Sequence, residues 1–361
     1  MDADAVIVGA GPAGCAAAIQ LATAGWRVVV FGRAHAAGDR IGESLSPGAP
    51  ALLERLGIRA RFLNDGHLLC HANASAWGSP ELVWHDFIGD PRGPGFHIDR
   101  PRFEALLRTR ASEVGAMLVT SDATGMTART ASGWRLDANR EVPPISARYL
   151  VDASGRAACL ARALGCRREV AWAQVALVGF ARTARPCEES FTLIEAVPAG
   201  FWYSAPVPGG RFAVALFTDA DLHDARAART ADGFHALLAA APRTRGRLDA
   251  HGAALDGEPR FVGADSGWLA PAQGPGWVAV GDAAITYDPI SAHGLTLALR
   301  TGVDAAEALL ADAAGDGDAL PRYGARLTRA FHAYRREALL LYRAEQRWPT
   351  ADYWRRRHAL G

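Results

Sequence analysis

The sequence contains no lysine, so its 39 residues of the Lys/Arg class are all arginines. This absence excludes Schiff-base catalysis and lysine general bases, because both need a side-chain amine that can lose its proton. Neither sign of charge is in excess, since 38 acidic residues leave a formal net charge of +1. We therefore expect no nucleic-acid partner and no membrane surface, and instead small molecules or specific protein surfaces.

Cysteine is scarce: there are five, an odd number, without a C-x-x-C pair. This usage predicts reduced thiols and a cytoplasmic location. His67, Cys70 and His71 form a local group of potential metal ligands, but no second ligand cluster accompanies them. We therefore expect no metal site.

Long hydrophobic runs are also missing. The longest apolar stretch, 170–181, is shorter than the ~20 residues of a membrane-spanning helix and predicts a buried strand. The chain enters its first strand without the charged and apolar segments of a secretory leader. With 361 residues, about half of them apolar, it is expected to form a globular cytoplasmic protein of two lobes.

The most informative segment present is a glycine-rich turn near the start. The apolar run 5–8 leads into this turn, an alanine-rich segment follows, and 27–31 forms a second β-branched run. The order strand, turn, helix, strand predicts a dinucleotide-binding unit whose helix N-terminus faces the pyrophosphate. The residues expected to bind the dinucleotide here are Gly9, Gly11, Pro12, Ala13 and Gly14.

The adenosine end of this unit is less regular. An acidic residue usually closes the second strand to hold the ribose, but Gly32 and Arg33 stand there. Arg33 could lie over the adenine or contact a phosphate. Asp39 could bind the ribose hydroxyl or be a solvated loop carboxylate.

Periodicity and turn signals predict an α/β fold with an inserted α+β region. A Rossmann-like lobe is expected over 1–67, 97–168 and 261–315. An antiparallel-sheet substrate lobe is expected over 68–96 and 169–260, and 316–361 is expected to form a helical tail.

A second motif begins at Gly281-Asp282 and continues through Asp288-Pro289 to His293-Gly294-Leu295. This pattern resembles the second flavin fingerprint of FAD-dependent monooxygenases and halogenases, which share the aromatic hydroxylase fold. The resemblance implies FAD as the resident cofactor. It also implies that Asp282 holds a ribityl hydroxyl and that the segment from Pro289 to Leu295 lies beside the isoalloxazine.

Three further segments match the same superfamily in order: Arg40 to Ser44, the helix start at Arg100, and 151–156. The resemblance assigns Arg40, Glu43, Ser44 and Arg100 to the cofactor site. Since only one complete G-x-G-x-x-G is present, electrons are expected from a transiently bound NAD(P)H or from a partner flavin reductase.

Halogenation is disfavoured within the superfamily. The catalytic lysine has no candidate, Ser291 stands where tryptophan halogenases have a glutamate, and the W-x-W-x-I-P signature reads Phe201-Trp202-Tyr203-Ser204-Ala205-Pro206. The chain more closely resembles flavoproteins that mature tryptophylquinone enzymes, through 76–78, 93–100, 195–204, 342–348 and 354–356. This resemblance implies hydroxylation of an indole- or phenol-like ring, free or as a peptide or protein tryptophan, with O2 as co-substrate and through a flavin C4a-hydroperoxide.

Candidate reacting and substrate residues follow from position. His293, in the expected flavin turn, could assist proton movement or merely make a structural hydrogen bond. Glu195, Trp202 and Tyr203 could line the substrate pocket, although sheet packing also explains the two aromatic residues. The basic stretch 343–357 could dock an acidic protein or form a solvated helix face.

Two alternatives to a monooxygenase stay open. A reductase or dehydrogenase resembling geranylgeranyl reductases would pass hydride from the flavin without inserting oxygen. A flavin-binding scaffold or sensor would bind FAD without turnover.

Overall fold

The computed structural model describes residues 2–33, 42–121, 127–130, 133–137 and 143–360. Its helices are α1 (Pro12–Thr23), α2 (Ala49–Arg55), α3 (Arg59–Asn64), α4 (Arg100–Glu113), α5 (Cys159–Ala163), α6 (His223–Ala227), α7 (Ala231–Ala239), α8 (Pro242–Ala250), α9 (Gly294–Ala313), α10 (Ala319–Ala344) and α11 (Asp352–His358). Single 3-10 turns lie at Gly155–Ala157, Gly281–Ala283 and Pro289–Ser291.

The strands in this part of the chain are β1 (Asp2–Val8), β2 (Val28–Gly32), β3 (Ser44–Leu45), β4 (Leu68–Cys70), β5 (Ala72–Ala76), β6 (Val83–Asp86), β7 (Gly95–His97), β8 (Met117–Thr120), β9 (Thr127–Thr130), β10 (Gly133–Leu136), β11 (Ile145–Asp152), β12 (Arg167–Trp172), β13 (Val175–Arg182), β14 (Phe191–Val197), β15 (Gly200–Val207), β16 (Arg211–Thr218), β17 (Ala254–Leu255), β18 (Arg260–Gly263), β19 (Ser266–Ala270), β20 (Gln273–Gly274), β21 (Trp277–Ala279) and β22 (Ile285–Thr286).

The nucleotide lobe is built on a sheet of order β20-β21-β11-β1-β2-β8, whose strands from β21 to β8 run parallel. Ala5, Val6 and Ile7 in β1 are completely buried. Such a run is expected of a parallel strand that is covered on both faces. The predicted α/β lobe is confirmed, and the carboxyl ends of its strands meet along one edge.

Small residues let α9 pack closely on α1. A Cβ atom added at Gly302 of α9 would lie 2.2 Å from the carbonyl oxygen of Ala13, and one at Gly281 would lie 2.8 Å from the Cβ of Ala13. The small alanine side chains of α1 therefore allow it to contact α9, which lies almost 300 residues later in the chain.

The second large sheet has the order β17-β13-β16-β15-β14-β5-β6, with β18 also paired to β13. Helices α7 and α8 cover one face, where Phe234 packs on Trp202 with ring centroids 4.9 Å apart. The other face belongs to the main core shared with the nucleotide lobe. Two of the predicted domain boundaries fall inside strands. The boundary between 260 and 261 lies in β18, and the boundary between 168 and 169 lies in β12.

The C-terminal residues form the expected helical tail. α10 runs for 26 residues and packs against α9, and α11 folds back against α10. The basic stretch is only partly solvated, because Arg357 and Trp354 are buried. No helix in the described part of the chain combines the length and apolar character needed to cross a bilayer.

The close approach of α9 to α1 predicts the effect of Gly302→Ala. The added methyl group would overlap the backbone of α1, so this change is expected to lower the free energy of unfolding by about 1–3 kcal/mol. Gly246→Ala in α8 is the matched control, since nothing lies within 4 Å of a Cβ there and helix propensity favours alanine by up to about 1 kcal/mol. Urea denaturation measures both; equal effects would contradict close packing of the two helices.

Candidate flavin site

A cavity of about 710 Å³ lies along the carboxyl edge of the parallel sheet and continues to the inner face of the second sheet. The ends of four parallel strands reach it through Val8, Gly32, Ala153 and Val280. Open α/β sheets bind their ligands at this edge. The predicted residues that line the cavity are Gly9, Gly11, Pro12, Ala13, Arg33, Glu43, Ser44, Arg100, Tyr203, Asp282, Pro289, Gly294 and Leu295.

The glycine turn fits a pyrophosphate. Gly9 has φ +118°, and a Cβ there would lie 2.0 Å from the Ala153 carbonyl oxygen. A Cβ at Gly14, in the first turn of α1, would lie 1.9 Å from the Gly9 carbonyl oxygen, so Gly14 packs against the loop and does not line the cavity. Gly11 caps α1 without a side-chain hydrogen bond, and nothing lies within 4 Å of a Cβ built on it. The first N–H groups of α1 can therefore reach a phosphate.

The end of the cavity beside β2 and β8 contains Arg33, immediately after β2, and Ser121, immediately after β8. The Ser121 N–H donates to the Gly32 carbonyl at 3.0 Å, which extends the pairing of β2 with β8. Ser121 is not among the predicted site residues, and its only signal in the sequence is its position directly after a strand that lies beside β2. Asp39 and Arg40 lie outside the described residues.

Arg100 links the start of α4 to the segment that carries Glu43 and Ser44. Its Nη1 donates to the Gly42 carbonyl at 3.0 Å, and its Nε donates to Glu104 at 2.9 Å. Glu104 is 2% exposed and borders the cavity. Glu104 is not among the predicted site residues, although its i,i+4 spacing from Arg100 is the sequence signal for such an ion pair. Arg100 thus anchors this wall, and Glu104 fixes its direction.

Asp282 faces the cavity beside Arg156, whose Nε lies 3.7 Å from a carboxylate oxygen of Asp282. Arg168 donates to the Asp282 carbonyl and, at 3.1 Å, to Thr286 Oγ1. Gly281 lies behind Asp282 rather than on the cavity surface, and its N–H donates to Thr301 at 2.8 Å. Two guanidinium groups and the α9 hydroxyl therefore hold this loop in place.

His293 requires a correction. Its side chain is exposed and does not line the cavity, whereas Ala292 and Gly294 on either side of it do. Ala292 adopts a left-handed conformation with φ 51°, which reverses the chain and turns His293 outward, where its Nδ1 contacts the Ser291 carbonyl. His293 thus makes the local contact of the structural interpretation, and its part in proton movement stays a prediction.

Glu195 and Trp202 are also corrected. They are register partners on β14 and β15 and point to the helical side of the sheet, away from the cavity. Glu195 caps α8 by accepting from the N–H groups of Arg243 at 3.0 Å and Thr244 at 2.7 Å. Trp202 packs against α7. Strand alternation places the neighbouring Tyr203 on the opposite face.

Tyr203 is the predicted substrate residue that does line the cavity. Its hydroxyl lies 2.9 Å from Ser44 Oγ, and desolvation raises the pKa of its phenol well above the usual range. The Tyr203–Ser44 pair is therefore a neutral hydrogen-bonding group. The surrounding wall consists mainly of small or apolar side chains, namely Ala176, Val178, Ala213, Ala215, Phe217, Val262 and Ala264.

A family model described as FAD binding domain matches residues 2–333. The chain belongs to this FAD-binding family. It is 27% identical to a putative FAD-dependent oxidoreductase, LodB, of Marinomonas mediterranea, over 99% of this chain and 97% of that protein. It is 32% identical to the menaquinone reductase of Mycolicibacterium smegmatis, over 94% of this chain and 84% of that protein.

Solved structures share the fold of this FAD-dependent oxidoreductase. The myxobacterial chondrochloren halogenase CndH matches with a TM-score of 0.87 and 24% identity, over 99% of this chain and 86% of CndH. The peptidyl tryptophan dihydroxylase QhpG matches with a TM-score of 0.77 and 24% identity, over 99% of this chain and 79% of QhpG. The predicted monooxygenase/halogenase superfamily is confirmed.

One group of potential metal ligands occurs among the described residues: Cys187, Glu189 and His251, with ligand atoms within 4.8 Å of one another. Glu189 already accepts from Arg247 Nε at 2.6 Å and contacts His251 Nε2 at 2.9 Å. The buried guanidinium of Arg247 opposes a second cation at this carboxylate. Two of the potential metal ligands named in the sequence analysis have other partners. His67 Nδ1 accepts from the Asp99 N–H, and Cys70 Sγ donates to the Ala72 carbonyl.

The buried His97, the register partner of Ser44, predicts a pH dependence of stability. Burial, with Arg247 nearby, lowers the pKa of His97 from 6.5 to about 3. Below pH 6.5 the unfolded chain binds a proton at this histidine that the folded chain does not bind. The free energy of unfolding therefore falls as the pH is lowered, by about 1.4 kcal/mol per pH unit at most.

Denaturation between pH 7 and pH 5 measures this slope, which His97→Gln should reduce. His235→Gln, at an exposed position of α7, is the control and should leave the slope unchanged. An identical slope in the wild-type protein and the His97 variant would contradict the assignment.

Proposed function

We propose that this oxidoreductase is an FAD-dependent monooxygenase that hydroxylates an electron-rich aromatic ring. The observation that carries the proposal is the continuous cavity, which joins the dinucleotide turn at Gly11 to the apolar wall of the second sheet. One end matches a nucleotide, and the other offers apolar contact and a single neutral hydrogen-bonding pair, Ser44 and Tyr203. An indole- or phenol-like substrate, free or part of a peptide, has the matching chemistry.

Bound FAD, once reduced, would supply the electrons that activate dioxygen, so that one oxygen atom enters the ring and the other leaves as water. The protein's own residues would position the cofactor and the substrate and would exclude water from the site. The first N–H groups of α1 would hold the pyrophosphate, and Asp282 would accept from a ribityl hydroxyl. Arg33 would contact the adenosine half, while Pro289, Gly294 and Leu295 would border the ring system.

Tyr203 would orient the substrate, together with its hydrogen-bond partner Ser44, which the family resemblance places in the cofactor site. Since the raised pKa of Tyr203 keeps its phenol protonated, the pair can donate a hydrogen bond to a ring hydroxyl or accept one from an indole N–H. It cannot act as an anionic base at neutral pH. Regiochemistry would therefore be set by where the ring lies, rather than by proton removal from the substrate.

Halogenation is disfavoured although CndH shares the fold. The resemblance assigns that reaction a catalytic lysine, and the whole sequence contains none. The likeness to a menaquinone reductase instead supports a second candidate, reduction of an apolar substrate without oxygen insertion. The apolar wall suits either substrate, so the fate of oxygen separates the two reactions.

The electron donor is proposed to be NAD(P)H, visiting the flavin transiently, or a partner flavin reductase. Mixing the FAD-loaded protein with NADPH or NADH under anaerobic conditions tests the first route. Rapid loss of the oxidised-flavin absorbance supports direct reduction. Persistence of that absorbance, together with reduction after a flavin reductase is added, supports the second.

The reaction type is tested with chemically reduced, FAD-loaded protein. It is mixed with oxygenated buffer and a panel of indoles, phenols, tryptophan-containing peptides and a menaquinone analogue, and the products are analysed by mass spectrometry. An aromatic product that gains one oxygen atom supports the proposal. Reduced menaquinone analogue, with no oxygenated aromatic product, would overturn it in favour of the reductase.

Ala215→Trp tests the substrate end of the cavity. The indole would fill the space against β16, so we expect kcat/KM for the identified aromatic substrate to fall by about tenfold or more while FAD remains bound. Ala128→Trp, at an exposed position of β9, is the matched control and should leave both quantities unchanged. Loss of FAD from the Ala215 variant would show that this wall serves the cofactor and contradict the assignment.

A further inference from the structure

Asp288 is a buried carboxylate at the base of the cavity wall. It is fully buried, and its Oδ1 accepts from the Ile290 N–H at 2.9 Å, which caps the 3-10 turn Pro289–Ser291. Its carbonyl accepts from Ser291 Oγ at 2.9 Å. Asp288 therefore fixes the shape of the turn from which Pro289, Ala292 and Gly294 face the cavity.

Three aromatic side chains from other parts of the chain converge on Asp288. Trp172 Nε1 donates to Oδ2 at 2.7 Å, and the Tyr342 hydroxyl donates to the same oxygen at 2.6 Å. The Asp288 N–H donates to the Tyr334 hydroxyl at 2.5 Å. We call Asp288 with Trp172, Tyr334 and Tyr342 the Asp288 anchor. Both tyrosines lie on α10, in the C-terminal helical segment.

The anchor is extended on both sides. Toward the cavity, the ring of Tyr287 stacks on Tyr334 with centroids 3.9 Å apart, and Tyr287 itself lines the cavity. Toward α11, the Tyr353 hydroxyl lies 3.3 Å from that of Tyr342 and donates to Gln174 at 2.8 Å. Arg357 donates to the same Gln174 oxygen at 3.1 Å. The C-terminal helices are thus connected by buried hydrogen bonds to the cavity wall.

The turn needs such support because it is strained. Ala292 has φ 51°, a left-handed conformation that a residue with a Cβ adopts at an energetic cost. Strained residues persist where the surrounding structure restrains them from several sides. Donors from β12 and α10, together with the cap on Ile290, restrain this turn.

We propose that α10 preorganises the flavin site through the Asp288 anchor, with Tyr342 as a positioning residue. The inference rests on FAD binding in the cavity and is independent of whether the reaction is hydroxylation. Loss of the Tyr342 hydroxyl would leave Asp288 Oδ2 with Trp172 alone. The carboxylate could then turn from Ile290, and the turn that borders the flavin would relax.

The test compares Tyr342→Phe with Tyr353→Phe in the full chain, without FAD for the affinity and with FAD bound for the spectrum. Both remove one hydroxyl from a fully buried tyrosine, but only Tyr342 touches Asp288. For Tyr342→Phe we expect FAD binding to weaken on the order of tenfold and the visible flavin spectrum to change. Tyr353→Phe should retain the wild-type FAD affinity and spectrum even where its melting temperature falls.

Fluorescence titration of the apoprotein with FAD measures the affinity, and absorbance spectroscopy measures the flavin environment. If the Tyr342 and Tyr353 variants have the same FAD affinity as each other and the same flavin spectrum, the proposal is overturned and Tyr342 is a purely structural residue. If Tyr342→Phe does not fold, Trp172→Phe removes the other donor to Oδ2 and is judged by the same two outcomes. Product analysis is not needed, so failure of this inference is distinguishable from failure of the proposed hydroxylation.

Discussion

The close approach of backbone to backbone at the glycine turn is the constraint on which the site depends. Gly9 lies against the Ala153 carbonyl, and Gly14 lies against the carbonyl of Gly9, at distances where no Cβ fits. This contact brings β1, β11 and the start of α1 together and leaves the first N–H groups of α1 open to the cavity. Gly302 continues the arrangement by drawing α9 onto α1.

Around this fixed turn, the cavity is assembled from segments far apart in sequence. Arg100 ties the Glu43 segment to α4, Arg168 holds the Asp282 loop, and Tyr342 reaches Asp288 from the C-terminal helices. Each of these is a side chain that hydrogen-bonds a backbone group or a carboxylate in a cavity wall. The proposed substrate end of the cavity is not held by such hydrogen bonds. Its wall consists mainly of alanine and valine side chains, which leave space against the second sheet.

Much of the cofactor half was predictable because its determinants are local. Gly9, which has φ +118°, and Gly11, which begins α1 without a side-chain cap, are neighbours in a short motif that the sequence shows directly. Ser121, Glu104 and Tyr287 were missed, since they reach the cavity only through strand order, an ion pair and tertiary stacking. Trp202 and Glu195 point away from the cavity for a different reason: the sequence shows that neighbours alternate, but not which face of β14 and β15 meets the cavity. The outward direction of His293 follows from the left-handed Ala292, which no periodicity reveals.

We propose that one cavity holds the whole FAD molecule, with its pyrophosphate at the start of α1 and its ring system beside the turn at Pro289. A crystal structure of the FAD-loaded protein tests this most directly. We expect phosphate oxygens within hydrogen-bonding distance of the N–H groups after Gly11 and the isoalloxazine between the Pro289–Leu295 segment and the second sheet. An isoalloxazine at the Arg33 end, or FAD bound outside this cavity, would contradict the account.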